Sequence, residues 1–160
     1  MDEDFQLRIR SDEKFQNIRK RTHTIEIPNI SQYTSNYKVQ VPKSYDGLEV
    51  NNCEKYLTPE HYYLAAISGC FSTTFSVIAS NSDLNYNDLE IQTRSFIKSV
   101  STGKIIDKVT QKIILKIPPS ISKEKAKKVL KATEKACPIA NSIKTKIENK
   151  YSIIKVYILL

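Results

Sequence analysis

The feature that most constrains the fold is the uncharged stretch from Tyr62 to Ala79, the most apolar part of the chain. Wound as a helix, it is hydrophobic on nearly every side, which is typical of a helix that other elements surround. Hydroxyl side chains interrupt it at Ser68, Ser72, Thr73, Thr74 and Ser76. These polar groups argue against a helix that faces lipid along its length. We therefore expect a buried core helix and no membrane span.

The residues before this stretch predict where the helix begins. Thr58 is a favoured N-cap residue, Pro59 suits the first helical position, and Glu60 places a carboxylate at the positive end of the helix dipole. The pattern predicts a helix that starts at Pro59 and runs to about Ser80.

Alternating hydrophobic and polar residues predict strands on both sides of the central helix. The N-terminal candidates, about 5–9, 16–27 and 37–41, suggest an antiparallel meander. After the helix come a hairpin at about 89–98 and 104–117, a helix at 123–136, a short helix and a final strand at 151–159. Ser122 caps the second helix, and Pro138 ends it because proline lacks the backbone donor.

The element order is therefore βββ-α-ββ-α-α-β, an α+β fold with a mainly antiparallel sheet wrapped around a long central helix. We expect a single domain over residues 1–160, with N-terminal strands and a linker in 1–57 and the remaining elements in 58–160. One six-stranded sheet would cover only one side of the central helix. A second subunit is the expected cover for the other side.

Cysteine usage indicates the compartment and excludes some chemistries. The chain has three cysteines, Cys53, Cys70 and Cys137, and its acidic start lacks the apolar run of a secretory signal. We therefore expect a reduced, cytoplasmic protein. The cysteines lack the close spacing of a zinc site, so no zinc is expected. The formal charge of +8 permits nucleic-acid contact but does not require it.

Cys70 and Cys137 are the candidate reactive residues. Cys70 lies in the middle of the central helix, and Cys137 is the last apolar residue before Pro138. Either one can be a small core hydrophobe. Two cysteines on core-facing positions of two helices can also meet, provided that their Cα atoms come within about 7 Å.

Two motifs resemble those of the OsmC/Ohr family, the osmotically inducible and organic hydroperoxide resistance proteins. The first is the run from Thr58 to Cys70, with a Pro-Glu opening, alanines, and a cysteine ten residues after the glutamate. The second is Cys137-Pro138-Ile139, which is similar to the family's Cys-Pro-Val. Arg21 to Ile25 also resembles the family's second strand, and the resemblance covers roughly residues 19–157.

The resemblance implies an intertwined homodimer with active sites at the subunit interface. It implies a peroxidase that needs no cofactor, in which a cysteine thiolate reduces a hydroperoxide, often an organic one. Cys70 would attack, Cys137 would close a disulfide, and an external dithiol would reset the pair. Attack on the peroxide would leave a sulfenic acid on Cys70. The second cysteine would convert this sulfenic acid into a disulfide before it is oxidised further.

The family also pairs an N-terminal arginine with the Pro-Glu glutamate above the nucleophile. Glu60 matches that glutamate, but it lies about 15 Å from Cys70 along the same helix, so a partner subunit's copy would have to serve the site. Arg19 is the favoured arginine and Arg21 the next. Cys53, His23 and His61 are expected to be structural or exposed.

Two alternatives remain open. One is a thiol protein of the same fold with a substrate other than a peroxide. The other is a basic binding module whose cysteines only fill the core. The binding module requires a basic patch with interleaved aromatic residues. The tyrosines instead cluster around the start of the central helix, so nucleic acid is not the expected partner.

Overall fold

A computed structural model of the chain describes the backbone of residues 8–11, 22–26 and 37–40, and both backbone and side chains of residues 58–157. The chain forms two compact units, Met1–Tyr63 and Leu64–Leu160. The boundary between them falls inside the long helix that the sequence predicts. The single-domain organisation over 1–160 stays a prediction.

The N-terminal unit contains a three-stranded antiparallel sheet. Its strands are β1 (Arg8–Ser11), β2 (Thr22–Glu26) and β3 (Tyr37–Gln40), in the order β1-β2-β3. The meander predicted from alternation is therefore confirmed. Strand β1 continues to Ser11, two residues beyond its predicted end, and β2 lies within the predicted range 16–27. The other residues of these predicted strands lie outside the described residues.

The C-terminal unit is built on a second three-stranded sheet. Strand β4 (Asp88–Val100) and strand β5 (Gly103–Ile117) form the predicted antiparallel hairpin, and β6 (Lys146–Lys155) pairs with β5 in parallel. Gly103 closes the hairpin with a φ of 129°, a conformation that side-chain-bearing residues rarely adopt. The prediction of one six-stranded sheet was wrong, because the two groups of strands make separate hydrogen-bonded sheets.

The predicted start of the final strand, near Tyr151, was also wrong. Strand β6 begins at Lys146, and its side chains at Ile147, Asn149, Tyr151 and Ile153 fall in register with the buried side chains of β5. The polar side chain of Asn149 interrupts the hydrophobic alternation. It therefore hid the first half of the strand from sequence patterning.

Three helices complete the chain: α1 (Pro59–Asn81), α2 (Lys123–Ala136) and α3 (Pro138–Ser142). Within the C-terminal unit, Phe71 and Phe75 of α1, Ile113 and Leu115 of β5, and Leu130 of α2 belong to one buried core. By length and composition alone, α1 would be able to cross a membrane. One stripe of α1 (Ile67, Phe71, Phe75 and Ala79) is buried within the C-terminal unit, and the rest of the helix is exposed or partly buried, so its burial on every side stays a prediction.

Candidate active site

Cys70 occupies the middle of α1, beside the stripe by which this helix packs on the sheet. That stripe consists of Ile67, Phe71, Phe75 and Ala79, each at most 2% exposed. Because Cys70 directly precedes Phe71, its side chain lies at the edge of the packed face and is partly exposed. A soluble molecule can therefore approach this sulfur more readily than a core cysteine.

Cys137 lies at the junction of α2 and α3. It is the C-cap residue of α2 and the N-cap residue of α3, and Pro138 takes the first position of α3. Proline suits that position because its missing N–H would have no partner in the first helical turn. Cys137 is 1% exposed and so belongs to the interior.

The two sulfur atoms are in contact although 67 residues separate them in the chain. The Cys137 thiol donates a hydrogen bond to the Cys70 sulfur, with 3.2 Å between the two Sγ atoms, and both cysteines are reduced. A disulfide bond is about 2.05 Å long, so a movement of about 1 Å would allow the bond to form.

The environment distinguishes the two thiols electrostatically. Burial raises the pKa of Cys137, and the neighbouring Cys70 sulfur raises it further. The N–H groups of Ala140 and Ile139 oppose the shift from the start of α3, although neither closes a regular capping hydrogen bond to the sulfur. Cys137 therefore holds its proton at neutral pH and is the donor of the hydrogen bond between the two sulfur atoms.

Glu60 and His61 lie in the first turn of α1. One carboxylate oxygen of Glu60, Oε2, is buried and has no hydrogen-bond partner among the described residues. His61 Nδ1 accepts the backbone N–H of Thr58 at 3.1 Å and lies 2.9 Å from its hydroxyl oxygen. This contact is that of a capping box with histidine at the third position, so His61 stabilises the helix start.

Several predicted residues are not brought to this sulfur pair by the described structure. Glu60 and Cys70 stand ten residues apart on one helix, about 15 Å along its axis. Arg19, Arg21 and Cys53 lie outside the described residues. The backbone of His23 pairs with Ser11 and Val39 in the N-terminal sheet. Within the described residues, no three acidic, histidine or cysteine side chains gather as metal ligands do.

A polar cluster on the inner face of the sheet was missed by the sequence analysis. The buried amide of Gln111 donates to Ser68 Oγ at 3.3 Å and to Thr93 Oγ1 at 3.4 Å. The Ser68 and Thr93 hydroxyls are 2.7 Å apart, and Ser68 also bonds the carbonyl of Leu64. Through these hydrogen bonds, α1 contacts the β4–β5 hairpin at Ser68, which lies two residues before Cys70. Glutamine at an inward position of β5 was the signal in the sequence.

A second feature missed from the sequence is a cavity of about 190 Å³ next to Cys137, here named the Cys137 cavity. Its lining is partly apolar and partly polar: Ile67, Phe71, Gln111, Glu134, Cys137, Ala140, Thr145, Ile147 and Asn149. Residues from α1, α2, α3, β5 and β6 contribute to it. No sequence pattern predicts such a convergence of separate elements.

Solved structures with the same fold cover nearly the whole chain. An OsmC-like protein from Mycoplasma pneumoniae is 15% identical, with 96% of this chain and 99% of that chain covered and a TM-score of 0.73. An OsmC-like protein from Vibrio cholerae is 18% identical, with 94% and 99% covered and a TM-score of 0.71. An organic hydroperoxide resistance protein from Bacillus subtilis is 14% identical, with 93% and 98% covered and a TM-score of 0.59.

These likenesses confirm the α+β fold, including the long helix that carries Cys70. No functionally curated protein is similar enough to count as a match. The sequence profile described as OsmC-like protein matches residues 52–152, which include both Cys70 and Cys137. The chain belongs to the OsmC-like protein family.

Proposed function

We propose that the protein is a cytoplasmic, homodimeric thiol peroxidase that reduces organic hydroperoxides and acts in oxidative stress defence. Membership of the OsmC-like family supports a redox or peroxide-stress role, and structural neighbours include proteins named for organic hydroperoxide resistance. The observation that carries the proposal is the contact between two unlike sulfur atoms, one partly exposed and one buried, 3.2 Å apart.

The chemistry begins with the Cys70 thiolate, because the thiolate and not the thiol is the nucleophile. Its sulfur attacks the terminal oxygen of the hydroperoxide, the O–O bond breaks, and the alkoxide leaves and takes up a proton. Cys70 is then a sulfenic acid. The Cys137 sulfur attacks it, water leaves, and a Cys70–Cys137 disulfide remains. A dithiol returns the two electrons and restores both thiols.

Glu60 and Arg19 complete the proposed site. A buried carboxylate oxygen without a partner is costly, so Glu60 Oε2 favours a nearby cation. We assign that cation to Arg19, with Arg21 as the alternative. In this arrangement Glu60 of one subunit holds the arginine over Cys70 of the other. The guanidinium would then stabilise the thiolate and polarise the peroxide.

The binding-module alternative is less well supported. The outward face of the C-terminal sheet does carry basic residues near one aromatic side chain, including Arg94, Lys112 and Lys150 around Phe96. However, the Lys108 ammonium already lies over the Phe96 ring, 5.4 Å from its centroid. One face of this single ring is therefore already in contact with a lysine of the chain.

A steady-state assay with tert-butyl hydroperoxide and a dithiol tests the proposal. The wild-type protein should turn over repeatedly, and Cys53→Ser should match it, because Cys53 has no role in the proposed chemistry. If the wild-type protein consumes no peroxide with any dithiol tried, the peroxidase assignment is wrong. A thiol protein with a different substrate would then be the better reading.

A further inference from the structure

The outer face of the C-terminal sheet, which points away from the core, carries an excess of basic side chains. Along β5, Val109, Gln111 and Ile113 are buried, so Lys108 and Lys112 point to the opposite face. Strand pairing places further charged residues beside these two on β4 and β6. The set contains five basic residues and one acidic residue: Arg94, Lys108, Lys112, Lys146, Lys150 and Glu148. We call this set the basic sheet face.

The one carboxylate of the basic sheet face neutralises only part of its charge. Glu148 lies 2.9 Å from the Lys146 ammonium and 3.5 Å from the Lys108 ammonium. The hydrogen bond from Lys146 lowers the pKa of Glu148, which is therefore ionised at neutral pH. Three cations of the face are exposed and form no ion pair with another described residue: Arg94, Lys112 and Lys150.

These three unpaired cations lie close together. Lys112 stands opposite Lys150 of β6 and opposite Gln92 of β4, and Arg94 follows Gln92 by two residues on the same face. The three cations therefore form a row across all three strands, about 10 Å wide for two strand spacings. Like charges on directly opposed residues destabilise a sheet. A bound anion would offset this repulsion, so the row favours a negatively charged partner.

The composition of this face favours carboxylates over nucleic acid. A shallow depression of about 780 Å³ lies among these side chains. Proteins that bind single strands of nucleic acid use aromatic side chains on which the bases stack. Phe96 is the one aromatic residue that lines the depression, and the Lys108 ammonium lies 5.4 Å from its ring centroid. A carboxylate needs no stacking surface, and the planar Arg94 guanidinium has the geometry to bind one through two hydrogen bonds.

We propose that the basic sheet face docks an acidic segment of another protein, whose carboxylates pair with Arg94, Lys112 and Lys150. This docking goes beyond the proposed thiol chemistry and involves no covalent step. Cys70 belongs to α1, which packs on the opposite, inner face of the sheet through Phe71 and Phe75. Because the paired groups are exposed, salt weakens the complex by screening their attraction.

Fluorescence anisotropy of labelled poly-L-glutamate at low salt tests the docking surface. The wild-type protein should bind this probe, and a triple variant with Arg94→Gln, Lys112→Gln and Lys150→Gln should bind about tenfold more weakly, because three exposed contacts are lost together. The matched control loses the same charge from exposed positions of α2, through Lys123→Gln, Lys127→Gln and Lys128→Gln, and should bind like wild type. Equal weakening in the two variants, or no binding by the wild-type protein, would overturn the proposal.

Two further measurements separate docking from folding and from nucleic-acid binding. Because Lys112 and Lys150 repel each other, the sheet-face variant should unfold at the same temperature as wild type or at a higher one. Its peroxide consumption with a small dithiol should equal that of wild type, so failure of the docking proposal is distinct from failure of the peroxidase proposal. If oligothymidylate binds more tightly than poly-L-glutamate and loses affinity in the same variant, the face binds nucleic acid and the acidic-protein assignment is wrong.

Discussion

At the scale of single residues, the account depends on the difference between Cys70 and Cys137. Sequence analysis singled out both residues through two short motifs. It could not show that the sulfur atoms meet, because a contact over 67 residues depends on how α1 and the α2–α3 junction pack. The structure adds the 3.2 Å contact and the unequal burial. Neither follows from the spacing of the cysteines alone.

The unequal burial of Cys70 and Cys137 predicts the order in which a reagent alkylates them. At neutral pH, iodoacetamide should alkylate Cys70 well before Cys137, because Cys137 is buried and burial holds its pKa above the ordinary range. Peptide mapping by mass spectrometry over time measures both rates. In Cys70→Ser the labelling of Cys137 should stay slow. Equal rates at the two sites in the wild-type protein would contradict the assignment of Cys70 as the more reactive thiol.

The arginine assignment gives a second prediction at this scale. Arg19→Ala should leave the fold intact, slow peroxide reduction, and move the alkylation of Cys70 to higher pH, because a guanidinium no longer stabilises the thiolate. Arg21→Ala is the matched comparison. An unchanged pH profile in Arg19→Ala, with a changed one in Arg21→Ala, would transfer the role to Arg21.

At the scale of secondary-structure elements, the residues typical of helix ends predicted the helices well. Ser122 accepts the backbone N–H of Lys125 as the expected cap, and α2 runs over the predicted residues 123–136. The start of α1 at Pro59 was also predicted. Positions where polar side chains turn inward were not predicted, notably Gln111 and Asn149. Their environment is set by neighbouring elements, which a local pattern does not contain.

The polar cluster between α1 and the hairpin predicts a measurable stability effect. Thr93→Val removes a hydroxyl that serves both Ser68 and Gln111, and should lower the free energy of unfolding by about 1–3 kcal/mol. Thr110→Val is the control, because Thr110 lies on the opposite face of the same sheet. Urea unfolding measures both. Equal losses in the two variants would show that the cluster stabilises nothing.

The contact between α2 and β6 predicts a pH dependence. Burial and the hydrogen bond that Tyr151 donates to Glu134, 2.7 Å long, raise the pKa of Tyr151. Above about pH 10 the phenol ionises in the unfolded chain but not in the folded one, so this stabilisation is lost as pH rises.

Tyr151→Phe should therefore be less stable than wild type at pH 8, by about 1 kcal/mol, because it lacks that hydrogen bond. The difference should shrink at pH 11, where the wild-type protein has lost the contribution. Urea unfolding of both proteins at the two pH values gives the comparison. A difference that is constant or larger at pH 11 would refute the role assigned to this hydrogen bond.

At the scale of the whole molecule, the fold class followed from element order, whereas sheet connectivity did not. Alternation identifies a strand but not its neighbour, so the parallel pairing of β6 with β5 could not be read from it. The dimer expected from the apolar character of α1 remains a proposal. Small side chains form an exposed stripe along α1 at Ala66, Gly69, Thr73, Ser76 and Ser80, beside Val77, which is 55% exposed.

Such a stripe allows two helices to approach closely, which predicts the effect of a larger residue at Gly69. Apart from its own turns of α1, no heavy atom of the described residues lies within 4 Å of a Cβ added there, so Gly69→Leu fits this part of the chain and improves its helix propensity. We expect it to shift the protein from dimer to monomer in light scattering at low micromolar concentration. Lys127→Leu, an exposed change on α2, should not. A stable wild-type monomer would contradict the dimer proposal.

The division of labour between the two cysteines is the central claim, and single-turnover consumption of tert-butyl hydroperoxide tests it most directly. In Cys70→Ser, consumption should disappear. In Cys137→Ser, one equivalent should still be consumed and a trappable sulfenic acid should remain on Cys70, with overoxidation following. The wild-type protein should form a Cys70–Cys137 disulfide and leave Cys53 free. If both variants behave alike, or if Cys53 appears in the bridge, the assignment of Cys70 as attacker and Cys137 as resolver is wrong.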